Sequence, residues 1–158
     1  MNIGKIFEEE IKKSVPQGYF YYRFKDNAAS FGTGEGTRFT SHNICDCMVM
    51  GEYLYLLELK SHKGSSIPFN CIRKNQIEEM SKVFHQKIKP YFVLNFREKE
   101  KTFAIEAKEL KNFMETTERK SIPFDWCREN GIEIIGTKKK VKYNYNLKEF
   151  FDTTLGQA

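Results

Sequence analysis

The sequence predicts an α/β fold in which helices flank a central mixed β-sheet, in three layers at most. Three observations carry that prediction. Two stretches, near residues 2–14 and 73–88, repeat apolar residues at helical spacing. Two pairs of β-type runs face each other across short turn signals, at Gly51-Glu52 and at Arg97-Glu98-Lys99-Glu100. Helical and extended stretches also alternate along the chain, in the order α-β-loop-β-β-α-β-β-α, rather than segregating into halves.

The first helix spans residues 2–14. Ile3, Phe7 and Ile11 recur every four residues between Glu8, Glu9, Glu10, Lys12 and Lys13, and Pro16 and Gly18 end it. The aromatic run Tyr19–Lys25 reads as a strand, with Tyr19, Tyr21 and Tyr22 expected to pack in the sheet. Asp26–Asn43 has few aliphatic residues and contains Gly32, Gly34 and Gly36. A loop of that length in a small domain is a candidate functional projection. Ile44–Met50 and Tyr53–Lys60 form a hairpin whose turn gives Gly51 the option of a positive φ.

Beyond it, Ser61–Pro68 is polar and reads as a loop, and Arg73–Ile88 as a helix with Ile77, Met80, Phe84 and Ile88 on one stripe. Tyr91–Phe96 and Thr102–Glu106 make a second hairpin. Lys108–Met114 is a short helix, and Phe124–Asn130 is another, closed by Gly131. Ile132–Ile135 is expected to pair with Val141–Tyr145 around a lysine-rich turn. No internal repeat or linker is evident, so residues 1–158 read as a single domain with loop 26–43 as its projection.

Composition excludes several classes. The 158 residues (18.7 kDa) are 15% aromatic, which a disordered chain is not. That length buries a core without disulfides or a structural metal. No apolar run approaches the roughly 18–20 residues that span a bilayer, and the N-terminus turns charged at Lys5, unlike a signal peptide. The expectation is a cytoplasmic protein with no membrane partner. Cys45, Cys47, Cys71 and Cys127 are then reduced, and Cys45-x-Cys47 has no second close pair with which to build a zinc site, so they read as small apolar fillers. Net charge is +5 and the pI about 8.9. Within this basic chain, residues 31–60 are acidic on balance. A basic surface suits a phosphate-bearing partner, and clustered carboxylates inside it suit a divalent cation.

The clustered carboxylates are Asp46 and Glu58, with Lys60. Glu58-Leu59-Lys60 ends an apolar strand, and period-two geometry puts Glu58 and Lys60 on one face. A three-residue loop, Gly51–Tyr53, sets Asp46 opposite Glu58 on that face; a two-residue loop would pair Asp46 with Leu57 and separate the carboxylates unless a bulge restored the parity. Adjacent carboxylates need a proton or a cation between them. Hard oxygen ligands suit Mg²⁺, with Mn²⁺ as a substitute, and a lysine beside the ion balances phosphate charge or holds a water. That set suits metal-assisted phosphodiester hydrolysis.

Asp46…Glu58-x-Lys60 resembles the motif of the PD-(D/E)xK nuclease superfamily. More narrowly, the chain resembles the RecU-type Holliday junction resolvases, through Gly4-Lys5-x-Phe7-Glu8, Asp46, Glu58-x-Lys60, Ser65-Ser66-Ile67-Pro68-Phe69, Gln76-Ile77-x-x-Met80, Tyr91-Phe92-Val93-Leu94 and Arg119-Lys120-Ser121-Ile122. The resemblance implies a restriction-endonuclease-like sheet and a Mg²⁺-dependent, structure-selective endonuclease that resolves four-way junctions by paired nicks, as a homodimer on branched DNA. It implies Asp46 and Glu58 as metal ligands, Gln76 as a further metal-site residue, Lys60 as the catalytic lysine, and Glu8 as a group in or behind the metal site. The family's hydroxyl residue two before the aspartate is Ile44 here, and its proline before the aspartate is Cys45.

Loop 26–43 falls where the family carries a stalk. Arg38 and Phe39 within it, together with Lys63 and Arg73, are the candidate DNA-binding residues, and Phe31 is a further aromatic of the loop. Lys138, Lys139, Lys140 and Lys142 read as a solvated hairpin tip, with phosphate contact as the alternative. The rival functions are a nuclease of the same fold acting on ends, flaps or single strands, and a catalytically inactive DNA-binding module.

Overall fold

The computed structural model describes residues 2–25 and 42–157. Helix α1 (Ile3–Ser14) starts at Asn2, whose side chain accepts from the Gly4 N–H at 2.9 Å, a regular N-cap. Strands β1 (Phe20–Arg23), β2 (Cys47–Met50) and β3 (Leu54–His62) follow, then the short β4 (Ser66–Pro68) and helix α2 (Lys74–Ser81). Next come β5 (Ile88–Phe96), β6 (Lys101–Glu106), α3 (Ala107–Thr116), β7 (Ser121–Pro123) and α4 (Phe124–Asn130). The chain finishes with β8 (Ile132–Glu133), β9 (Gly136–Lys139), β10 (Lys142–Tyr145) and α5 (Leu147–Leu155).

Six strands form one sheet in the order β1-β2-β3-β5-β6-β8. β3 and β5 run parallel and every other neighbour is antiparallel, so the sheet is mixed, in line with the expectation from sequence. Helices cover both faces. Phe7 and Ile11 of α1, Tyr145 of β10 and Phe150 and Phe151 of α5 pack on Val49, Tyr55, Leu57 and Val93. On the other face, Ile77 and Met80 of α2, Leu110 of α3 and Cys127 of α4 pack on Leu56, Phe92, Leu94 and Phe103. β3 is buried on both faces over Tyr55–Leu59, which explains its unbroken apolar run and makes the polar Glu58 conspicuous.

The β2–β3 hairpin has the three-residue connection Gly51–Tyr53, and its register pairs Met50 with Leu54 and Cys47 with Leu57. The regular ladder ends there: the Asp46 N–H also donates to Leu57 O, so Asp46 joins β3 outside the hairpin register. Gly51 is required by space rather than by φ: a Cβ there would run into the ring of Tyr19.

Several expectations need correction. The helix predicted over Arg73–Ile88 stops at Ser81; Ile77 and Met80 are buried, but Phe84 is 99% exposed and Ile88 opens β5. No glycine or proline marks that end, and Phe84 and Ile88 keep the helical period by coincidence. Ser61–Pro68 is no simple loop, since β3 continues to His62 and Ser66–Pro68 pairs with Ser121–Pro123. That pairing also exposes a short repeat: Ser-Ile-Pro-Phe occurs at 66–69 and again at 121–124, and the two copies join antiparallel. The Phe69 N–H donates to Lys120 O and the Phe124 N–H to Ser65 O, both at 3.0 Å. Ile132–Glu133 pairs with β6 rather than with the lysine-rich hairpin, whose partner strands are β9 and β10. Helix α5 is an element that the sequence pattern does not announce. Tyr19 stacks on Phe151 and Tyr21 is half-buried, whereas Tyr22 is exposed. Of the cysteines, only Cys47 lies on a strand; all four are free, and all but Cys71 are buried. Among the described residues, no helix is long and apolar enough to cross a membrane.

Candidate metal centre

Glu58 is the most deeply placed charged residue of the sheet, with 1% of its surface exposed. It lies on the α2 face beside Phe92, its partner across the parallel pair. Gln76, 2% exposed and in the first turns of α2, donates its Nε2 to Glu58 Oε2 at 2.9 Å. Lys60, two residues on and on the same face, holds its Nζ 2.5 Å from Glu58 Oε1 as an ion pair. Among the described residues, no other cation or donor reaches Oε1. Burial is the main reason the Glu58 carboxyl is pushed up to about 7, with the Asp46 carboxylate adding to it and Lys60 opposing.

Asp46 sits just before β2, where the ladder to β3 distorts. Its N–H donates to Leu57 O at 3.2 Å, and its Oδ2 accepts the Leu59 N–H at 2.8 Å. The carboxylate thus takes the place a β2 carbonyl would have had beside β3. Its pKa is also raised, by burial first, against the opposing Leu59 N–H and Lys60. The neighbouring Cys45 thiol, buried and close to both carboxylates, is pushed up to about 12, which keeps it protonated.

The other predicted residues fall at different distances from this cluster. Glu8, on α1, pairs with Arg23 Nε at 2.9 Å, and both act on the Asp46 carboxyl electrostatically. It therefore stands behind Asp46 rather than beside Glu58. Arg73 is exposed at the N-terminus of α2 and favours the charged form of Glu58. Lys63 is exposed just past β3 and lies 3.9 Å from Glu98. Arg38 and Phe39, with Phe31, lie outside the described residues, as does most of loop 26–43. The two ends of that segment meet next to Asp46: the Phe24 N–H donates to Asp46 O at 2.9 Å, and Asn43 Nδ2 donates to Lys25 O at 2.7 Å.

Sequence reasoning missed Arg23, which couples Glu8 to the start of that loop. It also missed the polar chain behind Lys60. Ser61 donates to Asn95 at 2.8 Å, Asn95 donates to Thr102 at 3.0 Å, and Arg97 approaches Ser61 at 3.5 Å. Serine, asparagine and threonine scattered over three strands carry no sequence signal of their own.

The donor set fits a hard divalent cation. Gln76 Oε1 is buried and meets no hydrogen-bond donor, while Glu58 Oε1 meets only the Lys60 ammonium, 2.5 Å away. A buried, unsatisfied oxygen costs free energy unless something positive approaches it. Among the described residues no group of three or more His, Cys, Asp or Glu side chains is placed to hold a metal ion; two carboxylates and an amide oxygen are fewer ligands than Mg²⁺ takes, and the remaining positions would fall to water or phosphate.

Both the sequence and the fold have known relatives. The family model described as RecU, Recombination protein U, matches residues 35–149. The chain is 34% identical to the SPbeta prophage-derived uncharacterized protein YotM of Bacillus subtilis (strain 168), over 94% of this chain and 84% of that protein. It is 30% identical to the Holliday junction resolvase RecU of Streptococcus equi subsp. zooepidemicus, over 59% of this chain and 47% of that protein. The aligned segment thus spans about half the length of that relative. In fold it is similar to Archaeoglobus fulgidus Hjc, a Holliday junction resolvase, with a TM-score of 0.52 and 19% identity over 82% of this chain and 95% of Hjc.

Proposed function

Since the chain belongs to the RecU family, we propose that it is a metal-dependent endodeoxyribonuclease that resolves four-way DNA junctions by paired nicks. The observation that carries this reading is the buried Glu58, oriented by Gln76, paired with Lys60 and adjoined by Asp46. A carboxylate is rarely buried to this degree for stability alone. The names of the resolvase relatives support the same substrate.

In this reading Asp46, Glu58 and Gln76 Oε1 hold Mg²⁺, with Mn²⁺ as a substitute. When bound, the ion polarises the phosphoryl oxygen and acidifies a water. Gln76 keeps the Glu58 carboxylate aimed through its 2.9 Å bond. Lys60, 2.5 Å from Glu58, would hold the attacking water and offset the charge that develops on the phosphate. The Glu8–Arg23 pair keeps Asp46 in position at the root of loop 26–43. That segment leaves and rejoins the fold at Asp46, and we assign it the junction-selective role, with Arg38 and Phe39 as its contacts. Lys63 and Arg73 contact backbone phosphates nearby. A four-way junction has two equivalent strands to cut, so a two-fold homodimer supplies the second centre.

Nicking of a mobile four-way junction, a linear duplex and a flap, side by side with Mg²⁺ or EDTA, tests the proposal. Preferential, Mg²⁺-dependent nicking of the junction is expected. Asp46→Ala and Glu58→Ala should abolish nicking while junction binding survives, because phosphate contacts lie mostly elsewhere. Equal cutting of all three substrates would replace junction resolution by a general nuclease reading, and binding without any cutting by the unchanged chain would make it a DNA-binding module. Light scattering that returns a monomer on the junction would remove the dimer.

A further inference from the structure

Strands β9 and β10 form a two-stranded sheet of their own, apart from the main sheet. Their turn is Lys140-Val141, and Lys138, Lys139, Lys140 and Lys142 surround it. All four lysines are exposed, and Val141 is 83% exposed at the tip.

Backbone strain marks this turn. Lys140 has φ +57, a conformation that two-residue hairpin turns ordinarily assign to Gly or Asn. Glu100 is the other described non-glycine residue with positive φ; it closes the turn after β5, its N–H donating to Arg97 O, and its side chain accepts from the Tyr143 hydroxyl and lies 3.8 Å from Lys138. Lys140 has no comparable contact. Among the described residues, Lys139, Lys140 and Lys142 meet no carboxylate in an ion pair. Three unpaired ammonium groups, one of them on a strained backbone, are poorly explained by the stability of the fold.

The hairpin is also firmly held. The Tyr143 N–H donates to Glu10 Oε1 at 3.0 Å and the Tyr145 N–H to Ser14 Oγ at 2.9 Å, both on α1. Its tip stands near the C-terminal ends of β3 and β5, on the α1 face of the sheet, across from the face that carries Glu58. Val141 and Tyr143 line one cavity of about 190 Å³ with Ile3 of α1, and with Ser61 and Arg97 at the C-terminal ends of β3 and β5. Ser61 directly follows Lys60 in β3 and points to the other face of the sheet.

We propose that this hairpin is a DNA-backbone finger. It lies along a duplex arm on the α1 side of the sheet, the face opposite Glu58, with Lys139, Lys140 and Lys142 on phosphates and Val141 against the groove. The proposal rests on the nuclease reading and adds a contact surface to it. Duplex DNA is the occupant because the surface is a row of unpaired cations, which gives sequence-independent phosphate contact. A two-stranded ribbon also has the width of a groove, and an apolar tip flanked by cations suits base steps and sugars.

The test combines Lys139→Ala, Lys140→Gly and Lys142→Ala in the full chain, with Lys140→Gly relieving the strained turn. Affinity for duplex and four-way junction DNA is measured against salt in EDTA, with melting curves alongside. The variant should melt as the unchanged protein does, lose roughly tenfold or more in affinity, and show a log–log salt slope smaller by about 2–3, at roughly 0.9 for each phosphate no longer neutralised. Nicking at saturating junction should keep its rate. Lys→Gln at the same three positions, which retains side-chain bulk, reports the same shift if the first variant melts early. Normal DNA binding by the unchanged chain with identical affinity and slope in the variants would overturn the hairpin proposal alone. Failure of the unchanged chain to bind either DNA would sink the nuclease reading, and this proposal with it.

Discussion

The side-chain amide of Gln76 donates to the Glu58 carboxylate across 2.9 Å, and this one bond ties helix α2 to the central strand β3. Both side chains are almost completely buried. The amide therefore satisfies one Glu58 oxygen while its own carbonyl oxygen is left without a donor. A helix contact whose polar groups are only half satisfied makes physical sense when a cation completes it.

Gln76→Ala should accordingly cost on two counts. Leaving a buried carboxylate oxygen without its donor is worth about 1–3 kcal/mol of stability, seen as a lower midpoint in urea. Mn²⁺ affinity by calorimetry should fall as well. Unaltered Mn²⁺ binding in a folded Gln76→Ala variant would remove Gln76 from the centre.

The metal-free protein should lose stability as pH rises towards 8. Glu58 is pushed up to about 7 by burial and by Asp46, above its value in the unfolded chain, so the folded state holds this proton more tightly. The contribution is full below the unfolded value of roughly 4.3 and disappears as pH climbs through about 7. Asp46 is shifted in the same direction and adds to the trend. Thermal melts in EDTA should show it, and Glu58→Gln should flatten it. A variant with the same pH profile as the parent would contradict the assignment.

Lys60→Met should slow cleavage by roughly 10²–10⁴-fold if the ammonium acts on the attacking water. Removing the cation 2.5 Å from Glu58 should also move the metal-free stability profile to higher pH, since Lys60 favours the charged form of Glu58. Mn²⁺ affinity should persist, because Lys60 is not a ligand. Near-normal nicking by the folded variant would end its catalytic role.

Helix α5 should prove indispensable to the fold. Phe150 and Phe151 are each 1% exposed against Tyr55 and Tyr91, and the Tyr55 hydroxyl lies 2.5 Å from Thr154 Oγ1. Phe150→Ala or Phe151→Ala should cost about 3–5 kcal/mol, and Tyr55→Phe about 1 kcal/mol, measured by urea denaturation. Losses below about 1 kcal/mol for both phenylalanines would mean that α5 packs more loosely than described.

Local pattern was enough for the mixed α/β class, the first helix and the β2–β3 hairpin. Its strongest inference was the three-residue turn Gly51–Tyr53, which the register bears out; parity alone does not carry to Asp46, because the ladder distorts there and Asp46 is tied to β3 through Leu57 and Leu59. Gln76 stood out only through family resemblance, because nothing in local spacing tells how far a helix stands from a strand. Where α2 ends was settled by packing at long range. The stripe of Ile77, Met80, Phe84 and Ile88 continues past Ser81, and only the pairing of Ile88 with Leu54 draws that residue into β5. Long-range pairing likewise assigned the partners of the lysine-rich hairpin, since Ile132–Glu133 extends the main sheet beside β6 and leaves Gly136–Lys139 to pair with Lys142–Tyr145. The burial of Glu58 has the same origin. Glu-Leu-Lys at the rim of a sheet would be an ordinary surface pair; the parallel strand β5 on one side and α2 above it remove the water. Desolvation is a property of what folds over a residue from distant parts of the chain, and local sequence does not encode it.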